Sequence, residues 1–253
     1  MVIKTEEELQ GMQRVSEAVA LTLKKMKAYT QIGMSTKEID QYGRQQLEEL
    51  GAKSAPFETY NFPGYSCISV NNVFAHGVPS EKVVLKNGDI INIDVSAELG
   101  GFWSDNGCSF IVGEDLQGVQ HLIDTSQEIL LEAIAQISGG VRITDIGKLM
   151  ETKAQKAGYT VIRDLGGHGV GRSLHEEPDA IMNYYDRFDK RRFRKDSVVA
   201  IETFISTKSK FIETLPDGWS FVGNKGGFVA QHEHTILVTA DQPIVLTAAN
   251  GIK

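Results

Sequence analysis

The stretch IINIDVSAELGGFWSDNGCSFIV runs from Ile90 to Val112 and reads as two apolar strands folded back at Leu99-Gly100-Gly101. It carries Asp94 and Asp105, although aspartate is depleted in strands because its short side chain competes with the backbone for hydrogen bonds. A two-residue turn at Leu99-Gly100 sets the two carboxylates directly opposite each other. A turn at Gly100-Gly101 shifts the register and moves them off direct opposition. We take the first register as the expectation. Facing like charges destabilise a hairpin unless a cation lies between them.

The same anomaly recurs further along the chain. Glu202 sits in the apolar run 198–205 and Glu233 in the run 228–238. A charged residue in an apolar strand lies at an edge, faces solvent or is paired with something positive. Any one of the four carboxylates is satisfied by facing solvent; four in the strands of one chain point to a shared site for a metal or a basic cluster. His168, within Gly166-Gly167-His168-Gly169-Val170-Gly171, lies in a flexible backbone that lets an imidazole approach a ligand. Carboxylates with imidazole suit divalent Mn, Fe, Co or Zn better than Ca or Mg. Two bridging carboxylates would let such a site hold two metals sharing an activated water.

Around these strands the pattern is helical. The pair Thr5 and Glu8 opens a helix with Leu9, Met12, Val15, Val19, Leu23 and Met26 on one face, and Ser35 with Glu38 opens a shorter one closed by Gly51. Leu122 to Ile137 and Asp145 to Ala157 mark two more. Gly33, Glu38, Ile39 and Gly51 recur 107 residues later as Gly140, Asp145, Ile146 and Gly158. Helix starts and stops look alike everywhere, so the match suggests duplication without proving it. Strands at 90–97, 198–202 and 228–238 follow the helices in each half. The order predicts an α+β fold, an antiparallel sheet with helices on its outer face and internal pseudo-two-fold symmetry. With no linker between the halves, we expect one domain over 1–253, divided at about 1–112 and 113–253.

Composition narrows the function classes. The chain has 26 basic and 33 acidic residues, hence a net charge of −7, which disfavours a nucleic-acid partner gripped through phosphates. The local exception, six basic residues between Arg187 and Lys195, reads as a solvated surface. No run of about 18 apolar residues offers a membrane span. The first residues lack the basic start and apolar stretch of a secretory signal, so a cytoplasmic location is expected. Cys67 and Cys108 are too few for a disulfide framework and read as small apolar residues or pocket wall.

At these residues the chain resembles the type I methionine aminopeptidases, the short members of the creatinase-like "pita-bread" metallopeptidases. The matching segments are Ala75-His76-Gly77-Val78-Pro79, Asn92-Ile93-Asp94, Asp105, Gly167-His168-Gly169-Val170-Gly171, Leu174-His175-Glu176, Ala200-Ile201-Glu202 and Gln231-His232-Glu233-His234-Thr235. They stand in the family's order across most of the chain. Leu174 stands where many relatives carry Phe, Thr203 where Pro is usual and Asn106 where Thr is frequent.

The resemblance implies two divalent metal ions (Co, Mn, Fe or Zn), with Asp94 on one, His168 and Glu202 on the other, and Asp105 and Glu233 bridging. It implies that a metal-bridging hydroxide attacks the first peptide carbonyl while Glu202 serves as general base and then acid. By the same similarity His175 steadies the tetrahedral intermediate and His76 contacts the substrate or leaving amine. Phe62, Cys67 and Trp219 match the methionine pocket, where aromatic and sulfur groups suit a thioether. The implied partners are nascent polypeptide N-termini with a small second residue, met at the ribosome by a monomer. Two alternatives stand beside this reading. One is an aminopeptidase with altered N-terminal preference, motivated by Leu174; the other is a catalytically silent peptide-binding relative.

Overall fold

The computed structural model describes residues 1–252. Among the described residues there are five α-helices: α1 (Glu6–Tyr29), α2 (Thr36–Glu49), α3 (Ala55–Tyr60), α4 (Gln120–Ala135) and α5 (Ile143–Lys156). Thr5 caps α1 by accepting the Glu8 amide at 3.2 Å, whereas the Glu8 carboxylate takes the Lys4 amide at 2.7 Å. Ser35 and Glu38 make a complete capping box on α2.

The strands that build the site are β1 (Lys53–Ser54), β2 (Cys67–Val70), β3 (Asp89–Leu99), β4 (Phe102–Val112), β5 (Gly166–Gly169), β6 (Glu176–Met182), β7 (Val198–Glu202), β8 (Glu233–Leu237) and β9 (Ile244–Val245). One sheet runs β1-β3-β2 with β4 on β3, and a five-stranded sheet runs β9-β8-β7-β5-β6. Shorter strands make two further three-stranded sheets. The bridge Cys108↔His232 joins β4 to the segment leading into β8, so the two main sheets meet edge to edge. The expected strand over 228–238 is interrupted: Val229–Ala230 pairs elsewhere, and β8 begins only at Glu233.

Pseudo-two-fold symmetry shows in the helix starts. α2 and α5 each have 14 residues and begin 107 residues apart. Gly33 and Gly140 take φ of 91° and 96°, and Gly51 and Gly158 follow the helix ends at 74° and 87°. The amide of Gly33 donates to the Leu85 carbonyl and that of Gly140 to the Phe193 carbonyl, both at 2.8 Å. Each helix pair covers one half of the sheet. Val19, Leu23, Met26 and Ile39 pack on β3 and β4, while Leu122, Ile129, Ile146 and Met150 pack against Val199, Ile201 and Ile236.

The hairpin corrects the expected register. Leu99 pairs with Phe102, so the turn is Gly100-Gly101; Asp94 faces Gly107 and Asp105 faces Ser96. Both turn residues have positive φ, 61° and 82°. A two-residue turn of that hand strains any residue with a Cβ, and Leu99 in it would be strained. The two aspartates are therefore diagonal neighbours on one face of the hairpin. Direct opposition occurs in the other half, where Glu202 pairs with Glu233.

Candidate metal centre

Strand alternation sorts the residues of β3. Ile91, Ile93, Val95 and Ala97 are fully buried beneath the helices, which turns Asn92, Asp94 and Ser96 to the opposite face. On β4, Cys108 and Val112 join the same core, so Asp105, Gly107 and Ser109 share the face of Asp94. The second half adds Glu202 at the end of β7 and Glu233 at the start of β8.

His168 sits within β5, not in a loop, and its glycines serve close strand approach rather than flexibility. A Cβ on Gly167 would meet the Ala200 carbonyl at 2.3 Å, and one on Gly169 the Glu177 carbonyl at 2.3 Å. His168 Nδ1 lies 3.0 Å from the Gly169 carbonyl, which can only accept, so Nδ1 carries the proton. The bare Nε2 then points inward, 3.7 Å from Asp105 Oδ2. Burial drives the pKa of His168 down to about 3, so the ring is neutral and ligand-ready.

Ligand atoms of Asp105, His168 and Glu233 all lie within 4.8 Å of one another. Asp105 Oδ1 is buried without a hydrogen-bond partner. Burial first, then mutual repulsion, raises the pKa of Asp94 and Glu233, and burial raises those of Asp105 and Glu202. Four carboxylates this close cannot all stay ionised without positive charge among them. Among the described residues no Lys or Arg lines the cavity. An orphaned carboxylate oxygen, an oriented imidazole and crowded acids together fit a divalent cation of the nitrogen-and-oxygen-preferring kind.

These residues floor a cavity of about 230 Å³ whose walls include Phe62, Cys67, His76, His175 and Trp219, so the structure brings all ten expected site residues to one place. Phe62 meets Trp219 edge to face, centroids 5.3 Å apart. Cys67, on β2, stands opposite Asp94 in register. His76 takes a left-handed φ of 53° at the rim, with its ring 4.7 Å from that of Phe221. Leu174 is buried in the wall, and His175 stands over His168 at 4.1 Å between centroids.

The sequence marks Gln231 only by its matching segment, and Thr203 and Asn106 only as departures from the family pattern. Gln231 interrupts the expected strand and turns inward, donating to Glu202 Oε2 at 3.2 Å and Glu233 Oε2 at 3.1 Å. Its own oxygen accepts from Asn92 at 2.7 Å, which fixes the amide's orientation. Gly107 makes room for it, since a Cβ there would meet Gln231 at 2.5 Å. Thr203 donates its amide to the His232 carbonyl at 3.0 Å, a bond that Pro could not make, and its hydroxyl joins Ser126 at 2.7 Å. Asn106 ties Val95 to Asn250 at 3.0 and 3.1 Å.

Gln231→Leu should weaken divalent-metal affinity by about 10- to 100-fold, because two carboxylates lose the donor that aims them. Calorimetric titration of divalent metal into the chelated, metal-free protein measures this. An unchanged affinity would show that those hydrogen bonds orient nothing.

Comparison with known proteins extends the picture to the whole chain. It is 46% identical over 247 residues to methionine aminopeptidase 2 of Bacillus subtilis (strain 168), covering 98% of this chain and 99% of that protein. It is 41% identical to a methionine aminopeptidase of Staphylococcus epidermidis, covering 98% of each. The crystal structure of methionine aminopeptidase from Thermotoga maritima superposes with a TM-score of 0.92 at 34% identity, over 98% of this chain and 99% of that one. Prolidase from Pyrococcus furiosus shares the fold at a TM-score of 0.78 and 20% identity, with 97% of this chain matching 65% of that one. Residues 10–240 match the metallopeptidase family M24, and the chain belongs to that family.

Proposed function

We propose that the protein is a methionine aminopeptidase, a metallo-exopeptidase that removes the N-terminal methionine of nascent polypeptides whose second residue is small. The observation that carries this is the acid-and-imidazole floor beneath an aromatic and sulfur-bearing wall, in a chain similar along its whole length to methionine aminopeptidases. We assign two divalent ions, from Co, Mn, Fe or Zn, to Asp94, Asp105, His168, Glu202 and Glu233. The domain is a single catalytic unit over 1–253 with halves at about 1–112 and 113–253. The reading includes a cytoplasmic monomer that meets its substrates at the ribosome.

Divalent metal bound there supplies Lewis acidity to the scissile carbonyl and to the attacking water. The residues do the rest. Glu202 takes a proton from the water at its carboxylate and delivers it to the leaving amine. His175 donates from Nε2 to the carbonyl oxygen as it gains charge. His76, at the rim, contacts the departing chain. Phe62, Cys67 and Trp219 hold the methionine side chain and close the pocket against bulk beyond it.

Chelated protein supplied with each metal in turn should release methionine from Met-Gly-Met-Ser with at least one of them. No release with any metal overturns the proposal. Leu174, buried in the pocket wall, supports the second reading, an altered first-residue preference. Peptides varied only at that residue separate the two: a strong methionine preference excludes it.

A further inference from the structure

α3 ends at Tyr60, and Asn61 then takes a left-handed φ of 54°, so that Tyr60 and Phe62 both reach the same cavity. Phe62 meets Trp219 in the wall. Tyr60 leans over His175 instead, with centroids 5.9 Å apart and its hydroxyl 2.7 Å from His175 Nδ1. Among the described residues this is the only hydrogen bond to the His175 ring. The two residues stand 115 positions apart and come from opposite halves of the chain.

A neutral imidazole carries one proton, on one nitrogen or the other, and the partner of the first nitrogen decides which. Phenol is a strong donor and a poor acceptor; a bare imidazole nitrogen is a strong acceptor. Partial burial and then the charge of Asp105 raise the Tyr60 pKa, which keeps the phenol proton in place. We propose that Tyr60 is a positioning residue that donates to His175 Nδ1 and so holds His175 in the tautomer that presents Nε2–H to the substrate carbonyl. In the other tautomer Nε2 is an acceptor and repels the oxygen it should stabilise. The ring would then stand in the right place with the wrong polarity.

This inference rests on the aminopeptidase reading for its catalytic meaning, but the tautomer itself can be observed without turnover. The test uses zinc-loaded protein labelled with 15N-histidine, in wild type and Tyr60→Phe, with His175 assigned by its absence in His175→Asn. Wild type should show Nε2 protonated and Nδ1 bare. Tyr60→Phe should show a mixture of tautomers at His175 alone. Its kcat on Met-Gly-Met-Ser should fall about tenfold with KM moving less than about twofold. Protonated Nδ1 in wild type, an unchanged nitrogen signature in the variant, or an unchanged kcat would each overturn the proposal. A wild type that cleaves no methionyl peptide with any metal would overturn the aminopeptidase reading instead, and the nitrogen signature would still decide what Tyr60 does.

Discussion

Glu202→Gln should lower kcat for methionine release by about 10²- to 10⁴-fold. Glu202 ends β7 on the cavity floor, opposite Glu233, and accepts a hydrogen bond from Gln231. Glutamine has the same volume and can offer its carbonyl oxygen to Gln231, so packing is retained. What it cannot do is take a proton from water, and it brings one less negative charge to the metal. Two readouts separate these losses. Metal titration should give a weaker affinity, and activity at saturating metal should still lie far below wild type. The chelated variant should also melt at a higher temperature than chelated wild type, because one of four crowded buried acids is gone. Activity within tenfold of wild type at saturating metal would remove Glu202 from the proton-transfer role.

The site was legible in the sequence where a residue contradicts its surroundings. Asp94, Asp105, Glu202 and Glu233 stand together in the apolar strands of one chain, and that concentration of charge holds whatever the register. Register itself depended on one turn. Leu99-Gly100-Gly101 permits two hairpins, and only the need for positive φ at both turn positions selects Gly100-Gly101. The selecting physics was available; it favours two glycines over Leu99. His168 illustrates a different limit. Its glycines looked like a loop because glycine serves both loose backbone and tight strand contact, and only the neighbouring strand tells which. Gln231 and Tyr60 were silent for a further reason: their roles arise from contacts with Glu202 and His175, which no spacing in the chain announces.

Between pH 6.5 and 8 the chelated protein should lose stability as pH rises, with its Tm falling by about 5 °C or more, whereas the metal-loaded protein should not. The sign follows from the carboxylates. Burial lifts Asp105 to about 6 and Glu202 to about 8, and burial together with neighbouring carboxylates lifts Asp94 and Glu233 in the same direction. In the unfolded chain these groups ionise near pH 4. Through the window, therefore, the folded state holds protons that the unfolded state has released, and each such proton costs about 1.4 kcal/mol of stability per pH unit. Glu202 and Asp105 together account for a loss of about 2 kcal/mol, and Asp94 and Glu233 add to it in the same direction. The buried histidines push the other way, but elsewhere: His168 and His232 are depressed to about 3 and His234 to about 4, so they cost stability only as pH falls below roughly 6.5. Metal binding needs the carboxylates deprotonated, so affinity rises with pH and the gap between loaded and chelated melting curves widens. Glu202→Gln should flatten the chelated slope most in the lower part of the window, by up to one proton. Scanning calorimetry at three pH values with and without chelator decides it. A chelated Tm that stays level across the window would mean that the acids are ionised and hydrated without a cation, and the electrostatic case for the metal centre would fall with it.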